Sequence, residues 1–429
     1  MNKLTGKSPI VNIALAILAV LCVVFLVANL MTGEKKVEHK VERLYSAEDQ
    51  EFLRVMGTLL GPAVISGNRY RVLVNGDQIF PAMLDAIRNA ERTVDFETYI
   101  YWSGAIGRAF ADALTERAKA GVKVHVLLDW VGAAKMDDAL IDELKSAGVE
   151  VEKYHKPHWT GLGKLNNRTH RKLLVVDGRV GFTGGVGIAE QWTGNAQDPD
   201  HWRDTHFKVE GPVVGQMQSV FMDNWTKASG TVLHGAEYFP PLSPVADGMA
   251  QVFSSSPSGG SASMELMYLL SITAAKRSIR LSSAYFVPND MALDAFVAAT
   301  KRGVKVQIIT PGKYIDSDAV RQASRSKWGP LLEAGAEIYE YQPTMYHVKV
   351  MIVDEFMVST GSTNFDERSF RLNDEANLNI YDATFAKEQV GVFEADLSKS
   401  KRITLEMWKA RPLREKIAEK FASLLDSQL

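Results

Sequence analysis

The sequence repeats itself once, and this duplication constrains the fold more than any other feature. Residues 121–126 (GVKVHV) recur as residues 303–308 (GVKVQI), and residues 147–151 (AGVEV) recur as residues 334–338 (AGAEI). In each copy the first of these stretches is an apolar strand that is entered from a helix through a glycine. Since strands alternate with helical runs, we expect two tandem α/β sandwich domains with mixed, mostly parallel sheets.

The duplication also sets the predicted domain organisation. The first copy is assigned to residues 62–245 and the second to residues 246–412. After Pro412, apolar residues recur at helical spacing, which predicts an amphipathic helix over 413–429 that packs on the domain or lies on a membrane.

Each copy carries the same polar motif, His-x-Lys-x4-Asp, at the start of an apolar strand. Its residues are His170, Lys172 and Asp177 in the first copy and His347, Lys349 and Asp354 in the second. The histidine and lysine are two residues apart, so on a strand they project from the same face. A glycine-rich element follows each motif, at 184–187 (GGVG) and at 361–364 (GSTN).

These paired motifs closely resemble the phospholipase D superfamily and, within it, the bacterial cardiolipin synthases. The resemblance covers roughly residues 65–412, and the strand at 96–101 (FETYIY) is also similar to that branch. It implies an active site at the pseudo-two-fold interface of the two copies, without a cofactor or metal. It also implies transfer of a phosphatidyl group between two phosphatidylglycerol molecules, through a phosphohistidine, giving cardiolipin and glycerol.

The residue types suit that chemistry. Breaking a phosphodiester needs a nucleophile, a proton donor for the leaving oxygen and positive charge around the phosphoryl oxygens. A neutral histidine supplies the first and a protonated histidine the second, and the acid then acts as a base towards an incoming alcohol. The resemblance favours His170 as the nucleophile and His347 as the general acid and base.

The remaining site residues are predicted to bind phosphate or to orient the histidines. We expect Lys172 and Lys349 to hold the non-bridging oxygens, with Asn364 and Ser362 as neutral donors. The first copy has Gly187 and Gly185 at the positions of these two, so half of the phosphate-binding side chains are missing there, unless backbone amides compensate.

Four carboxylates complete the predicted site. The resemblance implies that a carboxylate beyond each motif orients a histidine, and Glu375 and Asp204 fit that role. Asp177 and Asp354 are counted with the catalytic residues, although the end of a buried strand also gives them a structural explanation.

A long apolar stretch precedes the first copy. Residues 10–31 contain only two polar side chains and are long enough to span a bilayer as a helix, so we expect a single transmembrane helix after an N-terminal flank at 1–9. A cleaved signal peptide is the alternative. The charged residues 32–61 predict a juxtamembrane linker helix.

The basic residues on either side of this stretch give a weak orientation signal. They lean slightly towards a catalytic part on the cytoplasmic side of a bacterial inner membrane. The flanking residues are Lys3 and Lys7 before it, and Lys35, Lys36, Lys40 and Arg43 after it.

Composition excludes several classes. With 49 basic and 51 acidic residues the net charge is −2, so composition does not indicate a nucleic acid as the partner. The resemblance and the predicted membrane segment favour an anionic phospholipid, phosphatidylglycerol, in the bilayer. Cys22 is the single cysteine, which excludes an intrachain disulfide, and His155, His158 and His206 are scattered, so no metal site is predicted. A phospholipase D-type hydrolase, a nuclease and an inactive membrane scaffold remain alternatives, and the sequence does not indicate an oligomeric state.

Overall fold

The computed structural model describes residues 9–30, 37, 39–156, 166–256 and 263–423; within the first range, side chains are described for 11–24 only. The helices of these residues are α1 (Pro9–Leu30), α2 (Gln50–Leu59), α3 (Asn75–Arg88), α4 (Ala105–Lys119), α5 (Asp138–Ser146), α6 (Val214–Ser229), α7 (Ser263–Ala274), α8 (Asp290–Lys301), α9 (Asp318–Ser326), α10 (Trp328–Ala334), α11 (Glu367–Arg371), α12 (Ala383–Leu397), α13 (Leu405–Lys409) and α14 (Leu413–Ala422).

The strands of the first copy are β1 (Ile65–Val74), β2 (Thr93–Thr98), β3 (Lys123–Asp129), β4 (Glu150–Tyr154), β5 (Arg168–Thr169), β6 (Leu173–Val176), β7 (Val180–Gly184) and β8 (Thr205–Glu210). Those of the second copy are β9 (Gly248–Ser255), β10 (Ser278–Ser283), β11 (Phe286–Val287), β12 (Lys305–Pro311), β13 (Glu337–Tyr341), β14 (Lys349–Val353), β15 (Met357–Gly361), β16 (Phe365–Asp366), β17 (Asn373–Tyr381) and β18 (Ser400–Ile403).

One continuous sheet runs through both copies. Within the described residues it has sixteen strands, and its main path follows the order β4, β3, β2, β6, β7, β8, β1, β9, β17, β15, β14, β10, β12, β13 and β18. Read outwards from the centre, the second half repeats the first with equivalent strands. The junction is the antiparallel pair β1–β9, where Asn68 lies opposite Gly248. The duplication is therefore expressed as a pseudo-two-fold arrangement about this junction.

The prediction of mostly parallel sheets is wrong. Along the main path, parallel pairing is confined to β2–β3–β4 and β10–β12–β13, and the other neighbouring pairs are antiparallel. The reason is the tight turn after each motif strand, where Asp177 and Asp354 adopt positive φ angles of 53° and 52°. Such short turns join only antiparallel strands, so β6–β7 and β14–β15 are hairpins.

Helices cover both faces of the sheet, so the predicted α/β sandwich is confirmed. Alternate residues of β6 enter different apolar cores, since Leu174 packs with the helices of the first copy and Leu173 packs in a core that both copies share. In β14, Met351 and Ile352 divide in the same way between the core of the second copy and the shared core. The shared core joins the two copies into one body.

The prediction of one continuous linker helix over 32–61 is wrong. Residues 39–49 are not helical, and the helix α2 begins only at Gln50. The side chains of Ala47, Phe52 and Met56 are buried in the core of the second copy, and Glu48 pairs with Arg277 there. These contacts hold the irregular residues 39–49 and the helix α2 against the second copy, so both pack as part of it.

The helix α1 coincides closely with the predicted membrane span. No helix among the described residues, however, is both long enough and apolar enough to cross a membrane, so the span over 10–31 is not supported. Residues 1–8, 31–36 and 424–429 lie outside the described residues. Most of the predicted flank, part of the predicted linker and the end of the predicted C-terminal helix fall in these ranges.

Candidate active site

The two motifs meet across the centre of the molecule, and each histidine is held by the backbone of the opposite copy. The His170 amide donates to the carbonyl of Asp374 at 2.9 Å, and the His347 amide donates to the carbonyl of Arg203 at 2.8 Å. These contacts accompany the short parallel pairing of β5 with β17 and an isolated bridge between Arg203 and Tyr346. The position of each histidine therefore depends on the other copy.

The histidine side chains are paired in the same crossed manner. His170 Nδ1 lies 2.9 Å from Glu375 Oε1, and His347 Nδ1 lies 2.7 Å from Asp204 Oδ2. Both predicted orienting carboxylates are thus brought to the site, each on the histidine of the other copy. A carboxylate at Nδ1 accepts a hydrogen bond from the N–H of that nitrogen, so Nε2 is left as the ring nitrogen for chemistry.

Both histidine rings are neutral at about pH 7. Burial lowers the pKa of His170 to about 4, a shift that Glu375 opposes and Lys172 reinforces. Burial and then the charge of Lys349 lower the pKa of His347 to about 3. Each is thus prepared as a nucleophile, and one of them must gain a proton before it can act as an acid.

The two lysines lie beside the histidines and are buried. Lys172 Nζ donates to the His170 carbonyl at 2.8 Å, and Lys349 Nζ donates to the His347 carbonyl at 3.0 Å. Burial lowers the pKa of Lys172 to about 7 and that of Lys349 to about 8. A bound anion would reverse this effect, which is the behaviour expected of a phosphate-binding site.

A cavity of about 220 Å³ lies between the motifs, and its two sides differ chemically. Tyr99 packs edge-on against His170 at 5.1 Å between ring centroids. Two indoles, of Trp192 and Trp202, lie 5.2 and 5.5 Å from the His347 ring. The cavity is therefore not symmetric, although the backbone around it is.

The motif aspartates do not belong to this site, which corrects their assignment as catalytic residues. Asp177 accepts hydrogen bonds from the backbone amides of residues 91–93, and Asp354 accepts them from those of residues 276–278. Each lies at the far end of its motif strand and fixes the turn that leads into β2 or β10. Neither lines the cavity, so their role in this structure is structural.

Ser362 is also not placed to bind phosphate. It is fully buried, its hydroxyl donates to Glu375, and it accepts from the Ala376 amide at 3.0 Å. Asn364 does line the cavity, and its Oδ1 is buried without a hydrogen-bond partner among the described residues. Of the two predicted neutral donors, only Asn364 faces the space where substrate would bind.

In the first copy, two glycines and a tryptophan take the place of the serine and asparagine of the second copy. A Cβ on Gly185 would collide with the carboxylate of Asp204, so a serine has no room there. Trp192 Nε1 instead donates to Asp204 Oδ2 at 3.0 Å, in place of the serine hydroxyl of the second copy. A Cβ on Gly187 would lie 2.9 Å from Ile100 Cβ and 3.2 Å from the Trp192 ring, which explains the missing asparagine.

The family profile described as "Cardiolipin synthase, PLD-like domain" matches the chain twice, over residues 83–225 and 268–397. The chain belongs to this family. A cardiolipin synthase of Geobacillus kaustophilus is 36% identical over 91% of this chain and 78% of its own length. A major cardiolipin synthase of Bacillus subtilis is 36% identical over 83% of this chain and 75% of its own length.

The fold has solved counterparts. The crystal structure of a phosphatidylserine synthase from Haemophilus influenzae superposes with a TM-score of 0.63 at 13% identity, covering 89% of this chain and 100% of that one. A polyphosphate kinase from Porphyromonas gingivalis gives 0.53 at 13% identity, over 92% of this chain and 57% of that one. These structures share the α/β fold with its large mixed sheet.

Several buried positioning residues of this family member were not predicted. The guanidinium of Arg203, beside Asp204, forms a bidentate pair with Asp396 at 2.8 Å for both bonds. Glu97 accepts from Asn224 at 2.7 Å and from the hydroxyl of Thr169, next to His170, and burial raises the pKa of Glu97 to about 7. A carboxylate in the otherwise apolar strand at 96–101 was a signal for this network, whereas Trp192 carried none.

Proposed function

We propose that the chain transfers a phosphatidyl group from one phosphatidylglycerol to the glycerol hydroxyl of another, producing cardiolipin and glycerol. The observation that carries this proposal is the crossed pair of histidines, each with its own carboxylate and lysine, around one cavity. This arrangement provides a nucleophile, an acid and phosphate-binding charge without any further group.

In the first half-reaction, Nε2 of His170 attacks the donor phosphorus and forms a P–N bond. The P–O bond to glycerol breaks, and the glycerol oxygen takes the proton from Nε2 of His347. Glu375 and Asp204 stabilise the positive charge on the rings, while Lys172 and Lys349 neutralise the charge that develops on the non-bridging oxygens.

In the second half-reaction, His347 removes the proton from a hydroxyl of the acceptor. The resulting oxygen attacks phosphorus, the P–N bond breaks, and His170 is released in its neutral form. At the end of the cycle His170 is neutral and His347 is protonated, as at the start. The P–O bond to glycerol has been replaced by a P–O bond to the acceptor, so one phosphodiester is exchanged for another.

The surroundings of His347 favour it as the acid. Burial lowers the pKa of His170 to about 4 and that of His347 to about 3, and this difference is too small to separate the two roles. The indole rings of Trp192 and Trp202 lie 5.2 and 5.5 Å from the His347 ring, within the distance at which an aromatic ring can stabilise a cation. A bound phosphate would also offset the charge of Lys349, which lowers the pKa of His347.

Two further cations favour an anionic acceptor over water. Arg168 and Arg368 both line the cavity, and burial together with the charge of Arg168 lowers the pKa of Arg368. At the equivalent motif positions the other copy has Met345 and Gln191, which are neutral. The intact phosphate of an acceptor phosphatidylglycerol would be attracted to this one side of the cavity.

Product analysis tests the function. The purified chain should convert phosphatidylglycerol vesicles to cardiolipin and free glycerol, and His170→Ala and His347→Ala should each abolish both products. Phosphatidic acid as the main product would instead make the chain a hydrolase. Absence of turnover in folded wild-type protein would contradict the proposal.

The acceptor site is tested by the ratio of cardiolipin to phosphatidic acid. We expect Arg168→Gln and Arg368→Gln each to lower this ratio by about tenfold, because a charge-assisted contact to the acceptor is lost. A folding defect would lower both products together and leave the ratio unchanged. Arg69→Gln, on an exposed side chain, is the matched control. An unchanged ratio in both cavity variants would exclude these arginines from acceptor binding.

We further propose that the N-terminal segment anchors the chain in a bacterial inner membrane, with the catalytic part in the cytoplasm. The support comes from the sequence of residues 10–31, whose only polar side chains are Asn12 and Asn29. Alkaline extraction should leave the full chain in the membrane fraction, and Leu18→Arg should weaken this retention. A cysteine replacing Glu237 should be protected from an impermeant thiol reagent in intact spheroplasts; its labelling would contradict the orientation.

A further inference from the structure

The C-terminal helix α14 is amphipathic in the reverse of the usual sense, because its acidic residues face the protein and its large apolar residues do not. Glu419 is 2% exposed and accepts from the guanidinium of Arg411 at 2.8 and 2.9 Å. Glu415 pairs with Arg325 of α9 at 3.1 Å, and Ala422 is buried beside it. Ion pairs thus hold this helix on the domain.

The apolar side chains of α14 face outwards. Leu413, Ile417 and Phe421 follow one another at four-residue spacing, which places them on one stripe of the helix. They are 72%, 50% and 68% exposed. A soluble helix normally buries such a stripe, and a contiguous exposed apolar surface marks a contact with a membrane or another protein.

Exposed cations flank this stripe. Arg414, Lys416 and Lys420 are all exposed, whereas the acidic residues of the helix are paired on the inner side. The outer face therefore combines three apolar side chains with three positive charges and no unpaired carboxylate of its own. This combination matches a surface of anionic headgroups over acyl chains rather than an uncharged protein surface.

The stripe lies on a helix that packs against part of the cavity wall. The helix α14 packs on α9, and Ala422 forms a small apolar cluster with Val320 and Ala323 of that helix. Val320 also lines the cavity, and Asp316, just before α9, does too. One helix therefore separates the exposed stripe from the space where the phosphodiester would bind.

We propose that α14 is a membrane-docking helix, which we call the docking helix, and that its ligand is an anionic phospholipid bilayer. Leu413, Ile417 and Phe421 enter the boundary between headgroups and acyl chains, and the flanking cations meet the lipid phosphates. This contact turns the cavity mouth towards the bilayer surface. The inference rests on the proposed function only in that the substrate is a membrane lipid; docking itself does not require turnover.

An environment-sensitive fluorophore on the docking helix tests this directly. In a Cys22→Ser background, a nitrobenzoxadiazole label is attached to the full chain at Phe421→Cys or, as the matched control, at Glu91→Cys. Glu91 is exposed at the amino end of β2, whereas the cavity lies beyond its carboxyl end. On reconstitution into phosphatidylglycerol vesicles, emission from the label on α14 should increase and shift to shorter wavelength.

Three results would overturn the proposal. The first is an unchanged emission from the label on α14, and the second is an equal response in pure phosphatidylcholine vesicles, which would exclude an anionic ligand. The third is a blue-shifted emission before lipid is added, together with dimers in solution, since a second copy would then cover the stripe. None of these results depends on enzymatic activity, so a failure of docking and a failure of the proposed function are distinguishable.

A kinetic ratio provides the second test. The triple variant Leu413→Gln, Ile417→Gln and Phe421→Gln should lower the rate on phosphatidylglycerol vesicles relative to the rate on monomeric short-chain substrate by about tenfold. Misfolding would lower both rates and leave their ratio unchanged. Val232→Gln with Phe239→Gln is the control, because these apolar side chains are 59% and 39% exposed elsewhere. An unchanged ratio in the triple variant would contradict docking through this helix.

Discussion

An anion that binds in the cavity should bring at least one proton with it. In the unliganded site the pKa values of His170 and His347 are about 4 and about 3, so both rings are neutral at about pH 6. Lys172 and Lys349, with pKa values of about 7 and about 8, are already largely charged at that pH. Asp366, which also lines the cavity and has a pKa of about 7, is already largely protonated, so the histidines have the most protons to gain on binding.

The magnitude follows from the burial of the site. A dianion at ~4 Å, with an effective dielectric constant of ~20, stabilises an imidazolium by ~8 kcal/mol. Raising the pKa of His347 from about 3 to the working pH requires ~4 kcal/mol, at ~1.4 kcal/mol per pKa unit. The sign is upward because an anion favours the charged form of a base. Protonation of the second histidine must also overcome ~2 kcal/mol of repulsion from the first, at ~8 Å on the opposite side of the anion.

Calorimetry measures this uptake. Tungstate, a dianionic phosphate analogue, is titrated into the protein at about pH 6 in two buffers with different ionisation enthalpies, and the difference in heat gives the protons bound. We expect one to two protons per site in the wild-type protein. The double variant His170→Gln and His347→Gln should take up far fewer, because the lysines and Asp366 already carry most of their protons at this pH.

Two outcomes would refute the reasoning. Binding of tungstate to the wild-type protein with an uptake well below one proton would mean that the histidines stay neutral, so neither could be the acid in the first step. An undiminished uptake in the double variant would assign the protons to the lysines, and the low histidine pKa values would then be irrelevant to catalysis.

Four further variants test the supporting structure. Glu375→Gln should lower kcat by ~10³-fold with little loss of stability, measured by steady-state kinetics, because the charge that stabilises its histidine is lost. Arg203→Met should lower the free energy of unfolding by about 3–5 kcal/mol in a urea titration, since it leaves a buried carboxylate unpaired. Asp354→Asn should cost about 2 kcal/mol of stability and leave turnover per folded molecule within about threefold. Gly185→Ala should abolish activity, whereas Gly215→Ala, where the added Cβ comes no closer than 3.7 Å to a neighbour, should not.

The sequence predicted the components of the site because they are local patterns. A motif at the start of an apolar strand requires only a few neighbouring residues, and its repetition at an equivalent position indicates a second half-site. The structure brings together both histidines, both lysines, both orienting carboxylates and Asn364. The α/β class followed in the same way from strands that alternate with helices.

The crossing of the two copies could not be predicted from such patterns. Glu375 and His170 are 205 residues apart, and Asp204 and His347 are 143 apart, so their pairing is decided by how the sheet joins at β1 and β9. The same limit explains the roles of Ser362 and the motif aspartates, whose hydrogen-bond partners are set by tertiary contacts. The prediction of mostly parallel strands was wrong because the tight turn after each motif strand was not recognised in the sequence.

The crossed pairing has a consequence for the ancestry of this chain. A polypeptide with one copy would present a histidine without its carboxylate, and a carboxylate without its histidine. Such an ancestor could have worked only as a homodimer in which each subunit completed the other. Joined in one chain, the two copies keep this partnership at any concentration, and the two sides of the site differ, with Arg168 and Asn373 near one histidine and Trp192 and Trp202 near the other. Neither half can now evolve alone, because a substitution near Asp204 acts on a histidine that the other half encodes.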